Sequence, residues 1–375
     1  MDLQIKRFED VPNETWDRWV GSVYDGTYLH SSFWLDYCHA TMEPGDCLSF
    51  AVLDSREEIL AICPLGISES ECDGVVFKEA SWGGAPLALP AIMSGLPAQR
   101  RRLVRTVFEV LHDEMKERGV GRSFLRRHPV PNIVLKNCGL AVGEVEALSA
   151  GYFCNAQNTI VMDLGLTDEE LNKGMTREQR KHLYQSQRAG LTVREFRGES
   201  PELNQVHDLY RLAHLESAGM LTRPGRSFDY MAEAAKNGQA CLFAAFVNDT
   251  PISFLYCGEY GNLAFGWSQV NVEEYEKEFS PRHFLEWSAI LAYKERGFTH
   301  YELGARWYGP QIYKIPSPKE LSIAAFKERF GGQLWLDLTF ERYFDQDLFR
   351  RQHEAAMREF LESGYFPAQV AQIEG

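Results

Sequence analysis

The most regular alternation of apolar runs and polar breaks falls in the second half of the chain. Ala240–Val247 is an unbroken apolar run closed by Asn248-Asp249, Pro251–Tyr260 a second run closed by Gly261-Asn262, and Leu263–Val270 a third. Runs of this length joined by two-residue turn signals predict an antiparallel meander. Beyond it the period changes from two to 3.6. Phe284, Ser288, Leu291 and Ala292 recur at helical spacing. Ser280 stands where an N-cap belongs, Pro281 at the first helical position, and Gly297 where the helix should stop. Phe298–Leu303 then predicts a strand, Leu321–Phe330 a helix closed by Gly331-Gly332, Gln333–Phe340 a last strand, and Asp345–Ser363 an amphipathic helix.

The first half follows the same grammar. Phe50–Asp54 and Ile59–Ile67 predict a hairpin, Val75–Trp82 a third strand, and Leu103, Val107, Leu111 and Met115 one face of a helix stopped by Gly119. A short strand opens at Phe124. In each half a strand end rich in Gly and Trp (Ser81-Trp82-Gly83-Gly84; Gly266-Trp267-Ser268) precedes a helix ending Lys-Glu-Arg-Gly, at Lys116–Gly119 and Lys294–Gly297. This predicts a structural duplication. The expected division is residues 1–155, residues 156–345, and a C-terminal helix over 346–375 packing back on both. Two domains also suit 375 residues, more than one core commonly spans.

Composition narrows the class without naming the chemistry. Hydrophobic residues are 45% and charged residues 25% of the chain, as expected of a globular protein rather than a disordered one. A net charge of −14 argues against broad nucleic-acid binding, which needs an extended positive surface. Two local basic stretches remain, Gln99–Arg127 with nine basic and four acidic residues and Thr176–Arg197 with six and two; solvated helix faces explain either one alone. No signal sequence and no apolar stretch of membrane-spanning length is seen, so a cytoplasmic location is expected. The eight cysteines form no C-x-x-C pair and are expected to be reduced. The histidines show no metal-ligand spacing, and neither metal nor cofactor is expected.

Several motifs, in order, resemble the Fem-type branch of the GNAT superfamily. Ser31-Ser-Phe-Trp34 resembles its N-terminal tryptophan motif. Asn158–Leu164, followed by Arg177-Glu-Gln-Arg-Lys181 and Gln187–Val193, resembles its strand and basic helix. Pro281–Gly304 resembles its "P…L-x-W…A…G…Y-x-L-G" stretch, and Ala325-Phe326-Lys327-Glu-Arg-Phe330-Gly331 its "F-K-x-x-F-G" signature. The element order also matches the GNAT fold. The resemblance implies an α/β (α+β) chain of two tandem GNAT-like domains, each a mixed, mostly antiparallel sheet flanked by helices. It implies an aminoacyltransferase that joins an aminoacyl group, carried on tRNA, to an amine of a peptidoglycan-type or glycan precursor in cell-wall biogenesis. The long coiled-coil insertion of some members has no counterpart here.

Amide formation from an ester or thioester passes through a tetrahedral oxyanion, and donors aimed at that oxygen are the largest catalytic contribution. By resemblance Lys327 is the residue at the reacting carbonyl, beside Phe326. In GNAT folds the acyl carbonyl lies along the third meander strand, which places Tyr256, Trp267, Ser268 and Gln269 near it, Tyr256 as a second catalytic candidate. Core packing is the plainer reading for the aromatics. Arg306 and Tyr308, in the loop Arg306-Trp307-Tyr308-Gly309-Pro310, are candidates to grip a nucleotide base or phosphate. Arg177, Arg180 and Lys181 are candidates for a diphosphate or tRNA phosphate, expected in the interdomain region. Trp34 and Trp82 complete the substrate-binding candidates.

Two alternatives stay open. One keeps the fold with an acyl-CoA or carrier protein as donor and an amino sugar or small peptide as acceptor. Against it, the position of the GNAT pyrophosphate loop reads Phe279-Ser-Pro-Arg-His283, where Pro281 removes an N–H donor and no glycine opens the backbone. The other is a non-catalytic binding module. The base that deprotonates the acceptor amine is not assigned; Glu302 is a candidate that also suits a structural place.

Overall fold

The computed structural model describes residues 3–42, 45–93, 97–128, 147–148, 150–221, 223–307 and 314–364. The chain divides into two compact units, Met1–Gln157 with Trp307–Ile323 and Leu336–Gly375, and Asn158–Arg306 with Ala324–Trp335.

In the first unit β1 (Gln4–Arg7) precedes α1 (Asn13–Ser22) and α2 (Ser32–Thr41). Then come β2 (Gly45–Cys47), β3 (Phe50–Leu53), β4 (Ile59–Cys63), β5 (Gly66–Cys72), β6 (Val75–Ala80), β7 (Leu87–Ala88), β8 (Ala91–Ile92), α3 (Pro97–Glu117) and β9 (Val120–Arg127). The run Ile59–Ile67, expected as one strand of a single meander, is two strands in two sheets. β4 pairs β3 in the order β1-β3-β4-β8, whereas β5 pairs β6 in a sheet continuing to β9. The break falls at Pro64-Leu65, between the two strands. Pro64 has no N–H to give a ladder, so the chain leaves one sheet there and enters the other. Leu103, Val107, Leu111 and Met115 are all buried on α3, as their spacing predicts.

β10 (Phe153–Asp163), α4 (Asp168–Gly174), α5 (Arg177–Arg188), β11 (Thr192–Phe196), α6 (Leu203–Ala218) and α7 (Gly225–Lys236) lead into the meander of β12 (Ala240–Val247), β13 (Thr250–Tyr260) and β14 (Leu263–Asn271). Asn248 and Asp249 both take positive φ, 47° and 64°, as the tight turn between β12 and β13 requires. α8 (Glu273–Phe279), α9 (Pro281–Glu295), β15 (His300–Arg306), α10 (Pro318–Glu328), β16 (Gln333–Tyr343) and α11 (Gln346–Glu362) complete the chain. The second unit's sheet runs β11-β12-β13-β14-β15-β10. One face is covered by α9, whose Leu285, Ala289, Ile290 and Tyr293 pack on Cys241, Phe243, Leu255 and Cys257 of the sheet, with Phe326 and Phe330 joining the same core.

The duplication is visible in the ladders. β6 reaches β9 through α3 as a parallel neighbour, and β14 reaches β15 through α9 in the same way. Both helices stop at the predicted glycines, Gly119 (φ 69°) and Gly297 (φ 82°). The expected N-cap at Ser280 is not made. Ser280 sits at φ 48°, ψ 45° with no capping hydrogen bond, and its hydroxyl is 3.1 Å from Nδ1 of His182. A left-handed residue cannot aim its side chain at the first N–H groups of the helix, because an N-cap needs extended backbone. Seven described cysteines are free thiols, of which Cys38, Cys63, Cys241 and Cys257 are buried; Cys138 lies outside the described residues.

Candidate active site

β14 and β15 run side by side and then part. Their parallel ladder holds only Leu263↔His300, Ala264↔Tyr301 and Phe265↔Glu302, although β14 continues to Asn271 and β15 to Arg306. Both strands carry an irregularity at the level where pairing stops. In β14 the register with β13 slips at Trp267, and in β15 the register with β10 slips at Leu303. A bulge bends its own strand away from the neighbour, so two at one level open a wedge in the sheet. Among the described residues the backbone groups along that wedge have no ladder partner across it, so they are open to pair with another polar group.

Lys327 comes to this wedge from the last turn of α10. The residue as a whole is half-buried, but its ammonium end is turned inward against β15. A Cβ built on Gly304 would stand 2.5 Å from Nζ, and Gly304 has φ 102°. Only glycine both accepts that backbone and leaves room for the ammonium. Burial pulls the Lys327 pKa below the ordinary lysine value, while the carboxylates of Glu286 and Glu302 oppose the fall. Among the described residues the ammonium has no hydrogen-bond or salt-bridge partner, so its donors remain available to a ligand.

The acids around it are held in place. Glu286 of α9 accepts a hydrogen bond from the Tyr301 hydroxyl at 2.6 Å, and burial raises its pKa against the pull of Tyr301 and Lys327. Glu302 accepts one from Thr159 at 2.8 Å. Gly266, on β14, leaves space for this group: a Cβ there would lie 3.0 Å from the Tyr301 hydroxyl and 3.5 Å from Oε1 of Glu286.

The other expected residues take varied places. Phe326 is buried, edge-on to His283 (4.9 Å) and to Phe330 (5.3 Å), with the Arg282 guanidinium over its ring. Trp267, the bulged residue, is half-buried against Tyr256 and Phe265. Tyr256 is 0% exposed and donates its hydroxyl to the Met231 carbonyl at 2.8 Å, which gives it a place in the core rather than at the wedge. Gln269 donates to the Arg282 carbonyl at 3.3 Å. Arg306, last in β15, pairs with Glu328, the neighbour of Lys327, at 2.6 Å. Tyr308 lies outside the described residues.

Arg177 and Lys181 are exposed on α5, whereas Arg180 donates to the carbonyls of Asn172 and Met175. It thereby satisfies the C-terminal end of α4, which a cation favours. Trp34 and Trp82 belong to the first unit. Trp34 stacks on Tyr37, and Trp82 packs where Gly66 has no side chain.

Three groups near the third meander strand, His214, Arg223 and Glu286, were not singled out from the sequence. Ser268 pairs across to Tyr256, on the sheet face opposite Gly266, and its hydroxyl lies 3.1 Å from Nε2 of His214 and 3.4 Å from the Arg223 guanidinium. Burial, aided by Arg223, lowers the His214 pKa to about 4, so the ring is neutral at pH 7. The sequence signal for Glu286 was a lone acid within the apolar stripe of a helix; for Gly304 it was a glycine inside a strand, which marks a bulge or a close approach. Among the described residues no His, Cys, Asp or Glu cluster suits a metal ion, and no helix is long and apolar enough to cross a membrane.

Residues 176–314 match the family model described as "Acetyltransferase (GNAT) domain". No curated protein matches the sequence. Among solved structures the chain is similar to FemX, at 14% identity and a TM-score of 0.65, over 93% of this chain and 99% of that one. It is also similar to L-PGS from Bacillus licheniformis (11% identity, TM-score 0.55, 92% and 96% covered). A conserved protein of unknown function from Bacteroides thetaiotaomicron is a third (8%, 0.53, 90% and 99%). At these identities the likeness is one of fold. Residues 176–314 are thus a GNAT acyltransferase domain, and the chain that carries them has, along nearly its whole length, the fold of FemX.

Proposed function

We propose that the chain transfers an aminoacyl group from aminoacyl-tRNA to an amine of a peptidoglycan-type or glycan precursor, with Lys327 as the group that stabilises the oxyanion. The observation that carries this reading is a buried ammonium without a protein partner among the described residues, set on Gly304 where β14 and β15 part. The donor carbonyl lies in the wedge. The acceptor nitrogen attacks the carbonyl carbon, the C–N bond forms, and the carbonyl oxygen takes the negative charge beside the ammonium. The C–O bond of the ester then breaks, and the leaving oxygen receives the proton lost by the amine. A preorganised cation contributes to such a step because it need not reorient as charge develops.

Phe326 and Trp267 wall the acyl group, and Arg177 and Lys181, exposed on α5, are the cations offered to the phosphates of donor or acceptor. The Fem-type motifs around Lys327 support the tRNA-dependent version, and the chain shares its fold with FemX. The α9 N-terminus supports it too, since Pro281 and a left-handed Ser280 make a poor pyrophosphate cradle. The family description favours a second reading, an acyl-CoA donor. A donor screen with charged tRNA pools and acyl-CoA mixtures, read by mass spectrometry, separates the two. Lys327→Ala should keep the fold and lower turnover by about 10²–10³-fold, the cost of losing one oxyanion donor. Unchanged turnover in that variant would remove the assigned site.

A further inference from the structure

We infer that the outer stripe of α5, made of Arg177, Lys181, Tyr184 and Arg188, is a docking track for RNA, its cations seated on phosphates and Tyr184 stacked on an unpaired base. The inference deepens the reading of the donor given above and rests on it.

The inner side of α5 is occupied. Gln179, Leu183 and Ser186 are buried there. Oε1 of Gln179 lies 2.7 Å from Nδ1 of His283, and the Ser186 hydroxyl donates to the Phe279 carbonyl at 2.7 Å. At about 100° per residue the four outer positions fall within an arc of about 60° on the opposite side. All four are exposed, Tyr184 to 60%. The stripe starts beside the site: the N–H of Thr176, the N-cap of α5, donates to the carbonyl of Arg329, two residues beyond Lys327, at 2.9 Å.

A solvated helix face is ordinarily laced with acids three or four residues from its cations. Among the described residues Arg177, Lys181 and Arg188 have no hydrogen-bond or ion-pair partner. Arg177 and Lys181 are like charges at i,i+4, and Arg177 stands in the first turn, the end of the macrodipole that disfavours a cation. Glu178, the one acid of α5, faces Arg329 and His182 instead. In a chain of net charge −14 this stripe keeps its positive charge at a cost to its own helix. An anion running along the helix for about 17 Å, the rise over eleven residues, offsets that cost. Tyr184 selects RNA among polyanions, because an exposed ring set between cations stacks on a base. An anionic bilayer needs a broad apolar face, and the apolar side of α5 is the one buried at Leu183.

Fluorescence anisotropy of the full chain with a labelled RNA hairpin bearing a four-nucleotide unpaired 3′ end, repeated from about 50 to 200 mM salt, reads the track directly. The hairpin should bind. Arg177→Gln, Lys181→Gln and Arg188→Gln should each weaken binding and lower the slope of log K against log salt by about one. Tyr184→Ala should weaken binding by about tenfold with the slope kept, and Tyr184→Phe should restore it. On a blunt hairpin Tyr184→Ala should have no effect. Lys236→Gln, on exposed Lys236 of α7, should change nothing. The three Gln variants should keep their Tm, since they remove no contact within the protein. A hairpin that fails to bind, or that binds all the stripe variants with one affinity and one slope, would overturn the inference. So would vesicles of phosphatidylglycerol that bind through the stripe in place of the hairpin. Binding needs no turnover, so the two readings fail separately. An acyl-CoA donor in the screen removes the aminoacyl-tRNA reading, whereas a tRNA donor with unaffected stripe variants removes the track alone.

Discussion

Replacing Gly304 by alanine perturbs two things that can be separated. The first is backbone strain. At φ 102° an L-residue is outside its allowed regions, at a cost of about 1–3 kcal/mol. For a unit of this size that lowers Tm by about 2–12 °C, at 2–4 °C per kcal/mol. The second is the ammonium. The new Cβ would meet Nζ at 2.5 Å, where ordinary contact begins at 3.4 Å, so the flexible end of Lys327 must retreat by the 0.9 Å difference. A displacement of about 1 Å of a catalytic group costs on the order of 10²-fold in rate.

Thermal unfolding by circular dichroism reads the first effect and acyl-transfer turnover the second, each in four proteins: wild type, Gly304→Ala, Lys327→Ala and the double variant. In the Lys327→Ala background the contact no longer exists. Gly304→Ala should then retain its loss of Tm and cause no further loss of turnover, a non-additivity that the double-mutant cycle isolates. Full activity in Gly304→Ala would refute the claim that the position of the ammonium matters. An undiminished Tm would refute the strain.

Stability should also respond to pH through buried titrating groups. The folded pKa of Lys327 lies below its unfolded value, so the residue costs stability at neutral pH and the cost fades as pH rises toward the unfolded value, about 10.4. Lys327→Met should raise Tm at pH 7 and flatten that alkaline dependence; an unchanged curve in urea titrations at pH 7 to 10 would contradict it. Burial holds His207 and His214 at about pKa 4 and His283 at about 3. The unfolded chain takes up these protons first, so each histidine should remove about 1.4 kcal/mol per pH unit as pH falls below about 6.5. His283→Asn should soften that acid limb, and an identical limb would count against the assignment. Thiol labelling under native conditions should modify Cys154, which is exposed, well before Cys38, Cys63, Cys241 and Cys257; equal rates read by mass spectrometry would show that those four are not buried.

The sequence by itself determined what depends on near neighbours. The apolar runs at 240–247, 250–260 and 263–271 need only their own period and two-residue turns to become strands, and α3 and α9 need only a 3.6-residue stripe and a closing glycine. Lys327 could be named because the residues around it in the chain carry a resemblance. The tertiary structure decided everything that depended on which distant residues meet. Gly304 and Lys327 come from a strand and a helix, and their close approach is set where two bulges part β14 from β15. Tyr256 looked like a site residue until the meander turned its ring toward Met231. Ser280 looked like a cap until the backbone turned left-handed and set its hydroxyl beside Nδ1 of His182. Pro64 split one apolar run between two sheets, a choice that hydrophobicity could not make because both halves are equally buried. Period and composition act along the chain, whereas charge, desolvation and steric room act through space; only folding sets the latter.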